Sequence, residues 1–267
     1  MSSLVTAHLT SRAVIAVSGP DWKSFLQGLL TQDVETIRPG ELRFAGLLTP
    51  QGKLLYDLFV AANPEEMGDG ALLDVTAEHR DAILTRLTMY RLRAKVTLEA
   101  SDLKVIAAFG EPMDGGYADP RLPALGARAY GHCEADADED AYEAHRLALG
   151  VPGPADWGSE ANYPIEANFD LLSGIDFKKG CFVGQETTSR MKRRGTIKNR
   201  MLPIVFDGPA PPFGSEVLAG TLRAGEVLSG RDGRAMALLR LDRIEGASLA
   251  VNDRPVRVEH PDWLPRT

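Results

Sequence analysis

FKKGCFVGQETTSR, residues 177–190, is the stretch from which the rest of the chain is read. It holds one cysteine, Cys181, between Gly180 and Phe182, with Lys178 and Lys179 before it and Gly184, Gln185 and Glu186 after it. Neither a buried strand nor an amphipathic helix needs this density of small, polar and reactive types. Two glycines within five positions predict a tight turn, where the backbone bends or approaches something closely. A lone cysteine is often just a small buried apolar residue. Here, two lysines and the open N–H groups of a turn would favour its thiolate. No His or Asp is adjacent in sequence to act as a base, so a base would have to arrive through the fold.

Working outward, Lys178, Lys179, Arg190, Lys192, Arg193, Arg194, Lys198 and Arg200 stand against the single Glu186, a segment of net +7 in a chain of formal charge −7. The strip at 190–200 therefore reads as an anion site, for a poly-carboxylate tail, a phosphate, RNA or an acidic protein. No aromatic residue interleaves it, which weighs against RNA. Its counterpart is the acidic run Glu134, Asp136, Asp138, Glu139, Asp140 and Glu143. The overall acidic balance argues against direct DNA binding.

Besides Cys181 there is only Cys133, so a disulfide framework is excluded and a reducing compartment fits. Five scattered histidines show no metal-ligand spacing, and no resident metal site is expected. Two thiols cannot hold an iron–sulfur cluster in the usual four-thiolate way. No apolar run reaches the length of a membrane span. Residues 1–19 show neither the basic start and apolar core of a secretory signal nor the Arg-rich character of a transit peptide. These features together predict a cytoplasmic protein without membrane contact.

Residues 12–17 read as a strand, followed by a helix whose Trp22, Phe25, Leu26 and Leu29 share one face. Residues 42–48 and 53–61 read as a hairpin around Thr49–Gly52. GLLTPQGK, residues 46–53, resembles a P-loop only superficially: five residues separate the glycines and Leu54 follows the lysine. A strand at 72–75 precedes a helix capped by Thr76, with Ile83, Leu84, Leu87 and Tyr90 as its buried face. Strands at 94–100 and 103–109 complete an α+β pattern with antiparallel sheets. Residues 110–137 read as a surface connection, 138–149 as a short helix stopped by Gly150, and 151–168 as an ordered loop carrying Trp157, Tyr163 and Asn168. In that loop Glu166 could accept a pair of N–H bonds from a heterocycle such as a pterin. From Met201 onward, short apolar runs broken by Gly, Pro and Asp predict a small antiparallel barrel. The expected division is residues 1–200, two α+β units, and 201–267, the barrel.

Lys179–Glu186, KGCFVGQE, followed by Thr-Thr-Ser-Arg190, resembles the signature of the YgfZ/Iba57 family. These are folate-binding-fold proteins of iron–sulfur cluster maintenance, related to the glycine-cleavage T-protein aminomethyltransferase. FLQGLLTQDV (25–34), GLLTPQGKLLYDLFV (46–60), YRLRAKV (90–96) and Pro164-Ile-Glu166 before NFDLLSGIDFKKGC are similar to other segments of the family. The resemblance implies a T-protein-like fold, two interleaved α+β units around a central channel plus a C-terminal barrel. It implies tetrahydrofolate in that channel, with Glu166, Asn168 and Lys178 as its contacts. It further implies assistance in assembling or repairing [4Fe–4S] clusters of client enzymes, tRNA-modifying ones included, by an accessory factor rather than an enzyme. Cys181 would be the reactive thiol, in transient contact with a cluster. Gly180 and Gly184 would shape its turn, and Gln185 and Glu186 would pin it. Lys178, Lys179 and Arg190 would lower its pKa or receive anionic groups, and Phe182 completes the motif. Two alternatives stand beside this reading. One is a folate-dependent aminomethyltransferase or demethylase, and the other is an adaptor docking an acidic protein or RNA through 190–200.

Overall fold

The computed structural model describes residues 3–195 and 197–265. In chain order its elements are β1 (Val5–His8), β2 (Arg12–Ser18), α1 (Trp22–Gln27), β3 (Leu42–Leu48), β4 (Leu54–Ala62), β5 (Gly70–Thr76), α2 (Arg80–Arg91), β6 (Thr97–Ser101) and β7 (Lys104–Phe109). After them come β8 (Tyr117–Ala118), β9 (Ala127–Gly131), α3 (Glu139–Ala148) and α4 (Gln185–Arg194). The last part holds β10 (Asn199–Val205), β11 (Glu216–Ala219), β12 (Leu222–Arg231), β13 (Arg234–Arg240), α5 (Leu241–Ile244), β14 (Leu249–Val251) and β15 (Arg254–Val258).

Three sheets result. One has five antiparallel strands in the order β3-β4-β5-β2-β6, and a second has four in the order β1-β7-β9-β8. Because β1 precedes the first sheet in sequence and pairs with β7 beyond it, the two α+β units are interleaved. The third sheet closes into a six-stranded barrel, β10-β13-β12-β11-β14-β15, in which β15 returns to β10.

The five-stranded sheet is covered on both faces, which explains why β4 is apolar almost without interruption. Leu58 and Val60 face the core shared with Trp22, Leu26, Ile83 and Leu87, while Phe59 and Ala61 alternate onto the opposite core with Phe44, Trp157 and Phe169. On that side Phe44 packs against Phe59 and Phe169, with ring centroids 4.9 and 4.6 Å apart.

Three expectations need correction. Residues 110–137 are not merely a connection, since β9 lies within them and pairs with β7 along its whole length. Its second residue, Arg128, is polar yet buried, which hides the strand from an apolar pattern. Tyr90 does not join the buried face of α2: it is 38% exposed, and Ile83 and Leu87 alone are fully covered. Thr76 makes no side-chain cap, and a 3-10 turn at Ala77–His79 leads into α2 instead.

Candidate functional site

The turn carrying Cys181 is fastened to the rest of the molecule at three points. α1 is short and leaves carbonyl oxygens open at its C-terminal end. Lys179 fills that gap: its Nζ donates to the carbonyl oxygens of Gln27 (2.7 Å), Leu30 (2.6 Å) and Gln32 (2.9 Å). Burial lowers its ammonium to a pKa of about 8, against the pull of Asp33, Asp176 and Glu35. Next, the Val183 N–H donates to the Gly28 carbonyl at 3.2 Å. Finally, Gly184 has φ +81°, and a Cβ there would collide with the Thr49 carbonyl oxygen in the β3–β4 turn. Gly52, in that same turn, has φ +84°, and a Cβ on it would lie 2.9 Å from the Gly184 carbonyl oxygen. Two backbones thus meet where neither can carry a side chain.

Within the turn, Gln185 Oε1 accepts from the Phe182 N–H at 3.3 Å. Phe182 is buried, with the Lys179 ammonium 5.2 Å from its ring centre. Gly180 has nothing within 4 Å of where a Cβ would stand, so its small size serves no contact. Cys181, Glu186 and Arg190 are exposed. The outcome is a solvent-facing thiol on an anchored backbone. The three hydrogens of the Lys179 ammonium are all committed to carbonyls, so it stabilises the turn rather than the thiol.

The basic strip resolves into two sets. Arg200 is buried and belongs to the fold, making a fork with Asp170 (2.9 and 2.9 Å) and donating to Asn168 Oδ1 (2.8 Å) and the Ile165 carbonyl (3.0 Å). Lys192 lies 3.7 Å from Asp170 and over the Phe177 ring. Lys178, Arg190, Arg193, Arg194 and Lys198 are exposed and keep this side of the Cys181 turn positive.

Glu166 and Asn168, the expected pterin contacts, are engaged in hydrogen bonds within the fold. The Glu166 carboxylate accepts from the Tyr163 N–H (2.9 Å) and the Asn199 amide (3.0 Å). Asn168 is fully buried, and its amide donates to the Met201 carbonyl at 2.7 Å. Together with Arg200 they join the 151–168 loop to the first barrel strand.

Between the two open sheets lies the channel, as two cavities end to end that share Ser11, Asp57, Glu139, Glu143 and Pro154. The outer cleft, about 840 Å³, is walled by Tyr56, Thr76, His79, Trp157 and the carboxylates of Glu78, Asp138, Asp140 and Glu143, with no Lys or Arg among the described residues that line it. The inner part holds about 20 Å³, room for about one water molecule. Arginines fill it. Arg12 pairs with Asp57 (2.7 Å) and Asp74 (2.6 Å), and Arg128 pairs with Asp74 from the other sheet (2.6 Å). Arg121 pairs with Asp119 (2.6 Å) and donates to the Tyr142 hydroxyl (2.7 Å). The guanidinium of Arg128 lies 3.9 Å, and that of Arg121 4.9 Å, from the Phe59 ring centre. Burial alone would raise the Asp119 carboxyl, but Arg121 and Arg128 hold it below the usual range.

Tetrahydrofolate carries a two-ring head with one flat pyrimidinone ring, and an anionic glutamate tail. The space in front of Phe59 that could stack the head is taken by guanidinium groups, and the cleft that would take the tail is acidic. The residues present do not fit that group here. Asp57, which lines both parts of the channel, is held by Arg12. None of this network was read from the sequence. The available signal was a lone Asp inside each of two buried strands, LLYDLFV and ALLDV, where a carboxylate must find a partner.

Residues 198–266 match the family model for the C-terminal β-barrel domain of CAF17. The chain is 30% identical to the mouse (Mus musculus) iron-sulfur cluster assembly factor IBA57, mitochondrial, covering 97% of this chain and 85% of the relative. The human (Homo sapiens) protein of the same name gives the same identity and coverage. A Neurospora crassa IBA57 homologue is 33% identical over 76% of this chain, which spans 54% of that longer relative. All three are named as mitochondrial proteins, and this overturns the expectation of a cytoplasmic protein. Among solved structures, the glycine cleavage system aminomethyltransferase T of Bartonella henselae superposes with a TM-score of 0.74 at 17% identity, covering 98% of this chain and 87% of that one. At that identity the likeness fixes the fold, a T-protein-like α+β arrangement with a C-terminal barrel.

Proposed function

Since the chain belongs to the Iba57 family of iron–sulfur cluster assembly factors, we propose that it serves cluster assembly through Cys181, lending one thiolate to a cluster in transit. The observation that carries this reading is an exposed thiol on a turn held by Lys179, Gln185 and the Gly184–Gly52 contact. Fixing the backbone while leaving the sulfur open presents a ligand whose position is set before its target arrives. A cluster needs several ligands, and among the described residues no group of three or more His, Cys, Asp or Glu could hold a metal ion. The remaining ligands therefore come from the protein that brings or takes the cluster. The clients in this reading are [4Fe–4S] enzymes, with tRNA-modifying ones among them. Folate has no part in it.

The test is complementation. Cells lacking the protein receive wild type or Cys181→Ala, and [4Fe–4S] enzyme activities are measured beside a cluster-free control enzyme, with one tRNA-modifying enzyme in the set. Wild type should restore them and the variant should not. Full restoration by Cys181→Ala would remove the thiol from the function.

A further inference from the structure

The end of α2 presents apolar side chains that the fold leaves uncovered. Leu92 is 88% exposed and Met89 is 63% exposed, beside the partly exposed Tyr90. Leu92 sits at φ +41°, ψ −102°, an unfavourable conformation for a leucine that directs the chain sharply out of the helix. The tip is nevertheless well tied. The Ala94 N–H donates to the Arg91 carbonyl at 2.7 Å, and Arg91 Nη1 donates to the Val96 carbonyl at 3.3 Å. Residues 82–98 hold Arg86, Arg91, Arg93 and Lys95 and no acidic residue, in a chain of net charge −7. Arg93 and Lys95 are exposed.

This tip is joined to the Cys181 turn by α1. At the N-terminal end of α1, Asp21 accepts from the Lys95 N–H at 2.8 Å. At its C-terminal end, Lys179 and Val183 bind the carbonyls of Gln27 and Gly28. Six helical residues span about 9 Å. Arg93 and Lys95 at one end, and Lys178 beside the Cys181 turn at the other, therefore flank a single short helix, with Asp33, Glu35 and Asp176 near the Lys179 end.

We propose that this face, from Leu92 across α1 to Cys181, docks an acidic protein that exchanges the cluster with Cys181. The proposal rests on the reading that Cys181 handles a cluster. An ordered apolar tip ringed by cations matches an apolar socket rimmed by carboxylates. A protein fits better than a membrane, because the surface runs on to Cys181, and a bilayer supplies no ligands to a cluster.

The variants are Leu92→Asp, the double Arg93→Glu/Lys95→Glu, the conservative double Arg93→Lys/Lys95→Arg, and Cys181→Ser. Leu92 is the first central residue of a turn closed by the Ala94 N–H, with φ and ψ near those of a II′ turn, a position that Asp accepts better than leucine, so Leu92→Asp should fold. Purified Leu92→Asp and the charge-reversal double should keep the wild-type melting temperature and the wild-type rate of Cys181 alkylation by iodoacetamide. In cells lacking the protein, these two should lower the restored [4Fe–4S] enzyme activity about tenfold, the scale of a lost interface anchor. The conservative double should restore it. Wild-type rescue by Leu92→Asp and the charge-reversal double overturns the docking surface. Rescue by Cys181→Ser instead removes the reading beneath it. Wild-type protein is also spun with phosphatidylserine and with phosphatidylcholine vesicles. Sedimentation with the anionic vesicles that Leu92→Asp abolishes overturns the proposal in favour of a membrane, and no sedimentation supports it.

Discussion

Lys179 binds three carbonyl oxygens with its three ammonium hydrogens, in a site whose burial disfavours its charge. Its pKa of about 8 in the fold lies below the ordinary value of 10.5, mainly because of burial. Between those values the unfolded chain binds more protons at this position than the folded one. Stability from this residue therefore rises with pH from about 8 towards 10.5. Urea midpoints of wild type and Lys179→Met between those two pH values should differ in slope, with the rise reduced in the variant. A variant slope equal to that of wild type would place the titration elsewhere. At this scale the sequence showed the motif clearly, because cysteine, glycine and lysine are rare together. It could not show that the lysine is taken up by three carbonyls, since that depends on where α1 ends. Gly184 was legible as a turn former, but its close approach to Gly52 joins residues 132 positions apart.

Among the elements, α4 was not foreseen, for a physical reason. Its sequence QETTSRMKRR buries only Thr188 and half-buries Met191, so it has no apolar stripe for a periodicity to detect. It is held instead by the turn before it and by basic residues in its last turn, which suit the helix dipole. The barrel was legible because its short strands are cut by Gly, Pro and Asp. Its attachment was not. Arg200 on β10 is buried, and Asp170 in the preceding loop has a side chain only 1% exposed. Removing one partner leaves a buried charge uncompensated. Asp170→Ala should therefore cost about 3–5 kcal/mol, the range for a broken buried pair. Calorimetry of the variant checks this, and a loss near zero would mean that Arg200 finds water.

In the molecule as a whole, the shape of the channel and its contents tell different stories. The shape is shared with an aminomethyltransferase, and from it the sequence resemblance led to folate. The contents are arginines stacked on Phe59. Titration with tetrahydrofolate, followed by the fluorescence of Trp157 on the cleft wall, should give no saturable change. Saturation would show that the guanidinium groups withdraw. The expected folate residues came from position along a motif. What fills a channel is set by side chains from β2, β4, β5, β9 and α3 that meet only in three dimensions.

Asp74 grips Arg12 of its own sheet and Arg128 of the other, so its second contact exists only once both sheets have come together. A contact made last on the way in is broken first on the way out, and it acts on the rate of leaving more than on the rate of arrival. Asp74→Asn should unfold about tenfold or more faster, with a folding rate close to wild type, in stopped-flow denaturant jumps. The arginines in the channel, whatever they exclude, would then set how long each molecule lasts.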